Sequence, residues 1–504
     1  MNVIKTKDNK FNIITLFLFI SCFWLLTGCN EKTTTCNADS IDTLHTCRVG
    51  VQVGTTSDTG ITDLFKEKDA ESMLERFNTN PDAITALKQQ KIDVVVVDEQ
   101  PALEFVRQNP ELRILENPFA EETYAGVVAL GNTKLLNEIN AALDKLTQDG
   151  TVQKLKDTFI NRTGNYHYTP VQDGTDYIVM ATNAQFPPYE YYENNEVVGY
   201  EVELAYAIAD ILGKKLKIED MEFDAVISAV STGKADFGFS GFSETEERKK
   251  SIHFTNQLIT TKISIIVNSN KNAVQSLSFM DKVHTNFIQD SRWKYIVDGL
   301  GITLIVAFFS TIIGIVGGFI FAVIRVTHIR TKKLKFLNFI VKIYINIIRG
   351  TPVMIQLLII YYIVFAAVDV SKVIVAIAAF GLNSIAYTAE VIRSGILSVD
   401  AGQFEAGRSL GLTNFQIFRN IILPQATKNV LPALANESIS LLKETSISGY
   451  IGLVDLTRGG VIIRSITYEA FMPLMAVALV YLVIIGLMSY GVSILEKRLK
   501  KNER

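Results

Sequence analysis

Histidine, tryptophan and cysteine are scarce in this chain of 504 residues, at five, two and four copies. The histidines stand far apart and no Cys/His group has the spacing of a zinc site, so neither a metal nor any other cofactor is expected. A phosphate-binding loop is also missing. Neither Gly213-Lys214 nor Gly233-Lys234 completes G-x-x-x-x-G-K-[ST], which excludes ATP hydrolysis by that route and leaves no enzyme activity to expect. The formal charge of −3 gives no basis for a nucleic-acid partner.

What is abundant is apolar surface: 48% of the residues are hydrophobic and the mean hydropathy is +0.23. It is unevenly placed. Residues 48–290 have soluble composition, whereas Gly299–Ile324, Gly350–Val368, Val373–Ala389 and Ala470–Leu495 carry no charged side chain. Each is near or above the roughly 20 residues that cross a bilayer as a helix. At the N-terminus Lys5, Lys7 and Lys10 precede the apolar run Phe11–Leu26, the pattern of a signal peptide over 1–28. Leu26-Thr27-Gly28-Cys29 resembles a bacterial lipobox, which implies cleavage before Cys29, lipid on its sulfur, and a lipid-anchored linker over 29–47. Cys22 would leave with the signal, and Cys36 and Cys47 could either pair or remain free thiols.

In the exported part, Arg48–Gly54 alternates like a strand, a helix is predicted near Asp69–Phe77, and Ile92–Asp98 reads as a buried strand. A second unit begins with a strand at Tyr177–Thr182, continues through a helix at Glu201–Leu212 and reaches a strand at Ala235–Ser240. Strands alternating with helices predict two α/β lobes, and ligands in such folds sit beyond the carboxyl ends of strands. The residues there are Thr55 and Thr56, Asp98, Asn183 to Tyr189, Ser240-Gly241-Phe242-Ser243, and Arg248. A guanidinium grips a carboxylate through two parallel hydrogen bonds and a carboxylate accepts from an ammonium, so Arg248 with Asp98 suits an amino-acid zwitterion. Phe186, Tyr189 and Phe223 could enclose its side chain, with backbone donors near Gly241 and Thr55.

Longer blocks carry a resemblance. ATNAQFPPYEYY, VVGYEVELAYAIADILG, MEFDAVISAVSTGKADF and SGFSETEERKKSIHFT are similar to the first lobe of the solute-binding proteins for polar amino acids, and VGVQVGTTSD with KIDVVVVDEQPA to the second. The resemblance implies that Arg248 takes the α-carboxylate, Asp98 the α-amino group, and Phe186 with Phe223 the side chain. Asn183 stands where many members have aspartate, which leaves the side-chain preference open. The order of the lobes is reversed relative to the family. Because each block is present once, a single permuted domain is preferred over a lost tandem copy; its hinge strands would be Thr123–Gly131 and Thr260–Ser269, and residues 271–294 a linker.

Beyond residue 295 five transmembrane helices are predicted, near 296–324, 337–368, 372–392, 427–449 and 468–495. Glu437, Lys443 and Glu444 interrupt the fourth. Arg325, Arg330, Lys332, Lys333 and Lys335 after the first span, and Lys497, Arg498, Lys500 and Lys501 after the last, predict cytoplasmic ends by the positive-inside rule. Parity then places the loop after the third span inside and the binding domain outside, in a multi-pass plasma-membrane protein. That loop, 400–424, reads as two short helices around Gly411. Asp400 with Gln403 resembles one capping box, and Thr413 with Gln416 a second.

Glu405, Ala406, Gly411, Ile421, Leu423 and Pro424 resemble the Glu-Ala-Ala...Gly...Ile-x-Leu-Pro loop of ABC-importer membrane subunits, with Gly407 in place of the second alanine. IIRGTPVMIQLLIIYY, AYTAEVIRSGILSVDAGQFEAGRSLG and LPALANESISLLKETSISGYIGLVDLTR are similar to their polar-amino-acid permeases. The implied architecture is an α/β two-lobed solute-binding domain followed by an all-α membrane domain of five transmembrane helices. The implied function is amino-acid import by a combined receptor and permease, driven by a separate ABC ATP-binding subunit in two copies on a homodimer of this chain. Glu390, Arg393, Glu437, Lys443 and Glu444 should face protein or a solute path. A ligand-gated channel of the glutamate-receptor type shares the two-lobe fold, but no filter such as TVGYG is present.

Overall fold

The computed structural model describes residues 36, 38, 41–171, 174–193, 196–269, 278–366, 368, 370–467 and 469–501. The signal peptide, Cys29 and most of the linker that follows lie outside the described residues.

The N-terminal half is a two-lobed α/β domain. Strands β1 (Val49–Gln52), β2 (Leu74–Phe77), β3 (Val94–Asp98) and β4 (Leu112–Ile114) build the N-terminal lobe. The long β5 (Ala120–Ala129) then carries the chain into the second lobe, built on β6 (Tyr177–Thr182), β10 (Lys215–Asp220) and β11 (Phe237–Gly238), with the hairpin strands β7 (Gln185–Phe186), β8 (Glu190–Glu193) and β9 (Glu196–Val198) in a separate sheet. The chain returns along β12 (Ile252–Asn268), antiparallel to β5. The main path is β10-β6-β11-β5-β12-β3-β1-β2, with β4 on β12. Thus β5 and β12 are the two crossings, close to the predicted hinge strands. Register shifts between Phe254 and Gln257 and between Gln257 and Ile259 fall where β12 passes between lobes; bulges of this kind bend a strand and loosen its ladder.

Val94 to Val97 are buried on both faces, which is why that run shows no alternation. One expectation fails beside it. Asp69–Phe77 is not a helix: the helix is Thr56–Glu67, started by Thr55 accepting from the Asp58 N–H, and Leu74–Phe77 is β2, paired in parallel with β1. Four residues cannot stabilise a helix alone, and docking beside β1 decided their state. Cys36 and Cys47 form a disulfide, and Cys47 with Leu44 is fully buried in the N-terminal lobe's core, so part of the segment read as linker packs into the domain.

Among the described residues, three helices of the C-terminal part are long and apolar enough to cross a membrane: Trp293–Thr331, Lys372–Leu397 and Phe471–Leu499. The expected single span 337–368 is instead a pair, Lys335–Gly350 and Val353–Val364, bent by 109°. Thr351 is extended (φ −121°, ψ 143°) because the Pro352 ring excludes helical conformation from the residue before it. Leu423–Glu444, the weak fourth span, is helical over 22 residues with Pro432 inside it. Trp293–Thr331 and Lys372–Leu397 pack through small residues: a Cβ on Gly314 or Gly318 would lie 2.1 Å from the Ser384 or Thr388 hydroxyl. Glu390 pairs with Arg325 and, at 2.6 Å, with Arg393, so these charges are neutralised within the helices.

Candidate functional site

Between the lobes lies a nearly closed cavity of about 20 Å³, lined by Gln52, Thr55, Thr56, Asp98, Glu122, Asn183, Phe186, Phe223, Ser240, Gly241 and Arg248. All but Glu122, which lies within the crossing strand β5, come from near the end of a strand or the start of a helix. Thr55 and Thr56 follow β1, Asp98 ends β3, Asn183 follows β6, and Phe223 opens the helix Phe223–Ser231. Gly241 has φ +57°, and a Cβ there would meet the Phe186 ring at 2.6 Å, so the turn presenting Ser240 needs glycine on both counts.

Arg248 closes the cleft. Its Nη1 donates to the Ser243 carbonyl and its Nη2 to the Gly54 carbonyl, both at 2.8 Å, so one guanidinium joins the two lobes. Its plane lies over the Phe223 and Phe242 rings at 5.7 and 5.3 Å to the centroids. Burial pulls its pKa down, and Glu122 foremost opposes that. Opposite stand two carboxylates. Asp98 is 8% exposed, and its pKa is raised well above the usual aspartate value, by burial first and by the Glu122 charge second. Glu122 accepts from the Thr56 hydroxyl at 2.6 Å and from the Ser243 hydroxyl at 2.5 Å. Among the described residues, Asp98 Oδ1 and Glu122 Oε1 are buried with no hydrogen-bond partner.

Of the residues expected from sequence, all but Tyr189 and Ser243 line this cavity. Tyr189 is fully buried beneath it, stacked on Phe186 at 5.3 Å and 23°. Ser243 stands behind, holding Glu122 with its hydroxyl and Arg248 with its carbonyl. Two lining residues were missed, Gln52 and Glu122. Gln52 is the last residue of β1, an end the strand pattern could have flagged. Glu122 lies on a crossing strand, away from the strand ends that were inspected.

The Asp98 pair gives a pH dependence. Facing Asp98 are Glu122, Tyr124, Tyr189 and Arg248. With its pKa raised, Asp98 holds its proton to higher pH when the pocket is empty, and a cationic ligand group pairing with it would displace that proton. Binding should therefore release protons and weaken as pH falls below the raised pKa. Calorimetry in buffers of different ionisation enthalpy measures the release; proton uptake would contradict the assignment.

On the far side of the domain the helix Leu456–Thr467 of the C-terminal part bonds to both lobes. Arg458, 3% exposed, donates to Asp220 at 2.8 Å and Glu222 at 2.5 Å. Arg464 pairs with Asp82 of the N-terminal lobe at 3.0 Å. The two arginines stand about 9 Å apart along the axis. Asp455 fixes the start of this helix, accepting from the Arg458 N–H at 2.7 Å and the Ser448 hydroxyl at 2.9 Å; burial lifts its pKa to about 6. Beside it Lys372 pairs with Glu219, and Lys234 donates to the carbonyls of Phe365 and Val368. Two contacts lead from here to the cavity: Asp220 Oδ1 accepts from the Ala184 N–H at 2.9 Å, next to Asn183, and Glu222 precedes Phe223.

The polar loop folds as expected around Gly411, whose φ is +76°. Its first helix, Ala401–Ser409, is capped by Asp400 through the Gly402 N–H and not through the expected box with Gln403, whereas Thr413 with Gln416 forms a full capping box. Gly407 is buried, and a Cβ there would meet Ile417 at 2.8 Å, which explains glycine in place of alanine. Glu405 and Ala406 are exposed, as are Leu410 at 78% and Phe415 at 70%.

Residues 178–447 match the family model of the bacterial extracellular solute-binding proteins, family 3. A putative glutamine transport system permease protein, GlnP of Rickettsia conorii, is 40% identical over 210 residues, covering 41% of this chain and 94% of that protein. The arginine transport system permease protein ArtQ of Bacillus subtilis is 35% identical over 211 residues, covering 42% and 94%. A crystal structure of an amino acid ABC transporter with histidines is 37% identical, with a TM-score of 0.40, covering 44% of this chain and all of that one.

Proposed function

The chain belongs to family 3 of the bacterial extracellular solute-binding proteins and, in its C-terminal part, to the permeases of amino-acid ABC transporters, and from that premise we propose how one polypeptide captures a polar amino acid outside the cell and delivers it across the membrane. The observation that carries the reading is the cavity itself: one guanidinium faces two carboxylates between two α/β lobes, in a domain bonded to the permease by both lobes. Arg248 takes the α-carboxylate and Asp98 the α-ammonium, with Phe186 and Phe223 beside the side chain. Tethering holds the receptor at the permease at about millimolar effective concentration.

The chain divides into a signal over 1–28, a lipid-anchored segment from Cys29 to 47, the binding domain over 48–270, a linker to 294 and the permease over 295–504. Five crossings follow if the bent pair and Leu423–Glu444 each traverse the membrane. The contacts of Lys234 with Phe365 and Val368, and of Arg458 with Asp220, support this, since they set the far ends of those segments against the exported domain. The loop 400–424 then faces the cytoplasm. The chain hydrolyses nothing itself; two ABC ATP-binding subunits dock on the loops of a homodimer, with exposed Leu410 and Phe415 as apolar anchors beside Glu405.

The test is uptake by the chain reconstituted in proteoliposomes with its ATP-binding subunit. Glu405→Lys is expected to abolish ligand-stimulated ATP hydrolysis while leaving ligand affinity unchanged. Stimulation that survives this substitution would count against the docking role of the loop.

A further inference from the structure

We propose that this pocket selects amino acids with a cationic side chain, lysine, arginine or ornithine, and that Glu122 is the residue that accepts that charge. The proposal rests on the amino-acid receptor reading above and goes beyond it to the substrate class.

The argument is a charge count inside a closed cavity. A zwitterion occupies Arg248 with its carboxylate and Asp98 with its ammonium, and those two pairs are neutral together. Glu122 remains. Its Oε2 is satisfied by the Thr56 and Ser243 hydroxyls, but Oε1 is buried with no partner among the described residues. The other polar lining groups, Gln52, Thr55, Asn183 and Ser240, carry no charge, so nothing else in the cavity neutralises Glu122 once a zwitterion is bound. A buried carboxylate without a counter-charge is costly, and a ligand that brings a second cation removes that cost.

The remaining walls agree. Asn183 donates its amide to the Met221 carbonyl at 2.7 Å and so is held in place without adding charge. The Phe186 and Phe223 rings offer apolar faces to an alkyl stem and a negative face to a cation at its end. An acidic side chain would instead bring a third carboxylate to a pocket in which burial first, and the Glu122 charge second, already raise the Asp98 pKa. A neutral amide can donate to Glu122 Oε1, which makes glutamine the serious competitor. It provides a hydrogen bond but leaves the buried Glu122 charge without a counter-charge, which a cationic side chain supplies.

Glu122 also joins the lobes, through Thr56 on one side and Ser243 on the other. A pure latch would weaken every ligand alike when altered, whereas an acceptor for side-chain charge changes the ranking. The full-length chain in lipid nanodiscs is titrated calorimetrically with lysine, arginine, ornithine, glutamine and glutamate. A cationic amino acid is expected to bind most tightly, by about tenfold or more over glutamine. In Glu122→Gln that preference should vanish, with lysine and arginine losing about tenfold to a hundredfold and glutamine changing by less than about threefold.

The proposal is overturned if glutamine or glutamate binds the wild-type chain most tightly, or if Glu122→Gln weakens all ligands by one factor. The wild-type ranking decides the matter even if the variant fails to fold. Binding by no amino acid, or affinity unaffected by Arg248→Ala, would instead overturn the receptor reading itself.

Discussion

In Arg458→Ala, transport is expected to fall by about two orders of magnitude while the bound ligand is held as tightly as before, within a factor of about three. Arg458 is buried at the junction of receptor and permease, and it satisfies Asp220 and Glu222 at once. Removing it leaves two carboxylates buried without a cation, and breaking a buried pair in this way costs about 3–5 kcal/mol. That cost falls on the docked state alone. Undocked, Asp220 and Glu222 return to water and pay nothing. At 1.4 kcal/mol per tenfold, the docked population falls about a hundredfold or more, and the tether's effective concentration cannot restore it. Uptake into proteoliposomes, set beside calorimetry of the same preparation, separates the two quantities. A large loss of ligand affinity would show that Arg458 acts on the pocket, through Asp220 and Ala184, and not on docking. Arg458→Glu should be worse still, since it places a third carboxylate at the contact. Arg464→Ala, which breaks a single pair with Asp82 whose side chains are 18% and 22% exposed, should cost less.

Arg248→Ala is expected to weaken binding of every amino acid by about a hundredfold to ten-thousandfold, with Arg248→Lys intermediate. Two losses add. The ligand carboxylate would enter a cavity holding Asp98 and Glu122 without its counter-charge, and truncating one partner of a buried, hydrogen-bonded charge pair costs about 2–5 kcal/mol. Closure is also weakened, because the bonds from Arg248 to the Gly54 and Ser243 carbonyls span the two lobes. Lysine keeps the charge but not the fork, so it serves one acceptor where arginine serves two. Calorimetry on the full-length chain gives the ratio. Affinity within about threefold of wild type would remove Arg248 from the site.

Comparing expectation with structure shows which signals are local. The strand Tyr177–Thr182, the helix beginning near Tyr200, the turn at Gly411 and the capping box of Thr413 with Gln416 were readable because each is specified within a few residues. Asp69–Phe77 was misread because its state depends on β1, distant by about the length of a helix and a turn. The bend at Gly350–Pro352 carried a local signal in Pro352, yet the apolar run around it reads as one span by composition. Glu122 was overlooked for a different reason. On a crossing strand a residue belongs to neither lobe's loop set, and only the angle at which the lobes close brings it opposite Arg248.

The sequence by itself determined the two architectures, the polar loop between apolar helices, and the charged residues Arg248 and Asp98 at strand ends, because hydrophobic periodicity, turn chemistry and block resemblance are properties of short stretches. Tertiary structure alone decided what those charges meet. Folding brings Glu122 beside Asp98, Arg458 between Asp220 and Glu222, and Arg464 against Asp82, across separations of up to 382 positions. Coulomb forces act through space and strengthen where water is excluded, so charge partners are chosen by the packed fold, and no local pattern encodes them.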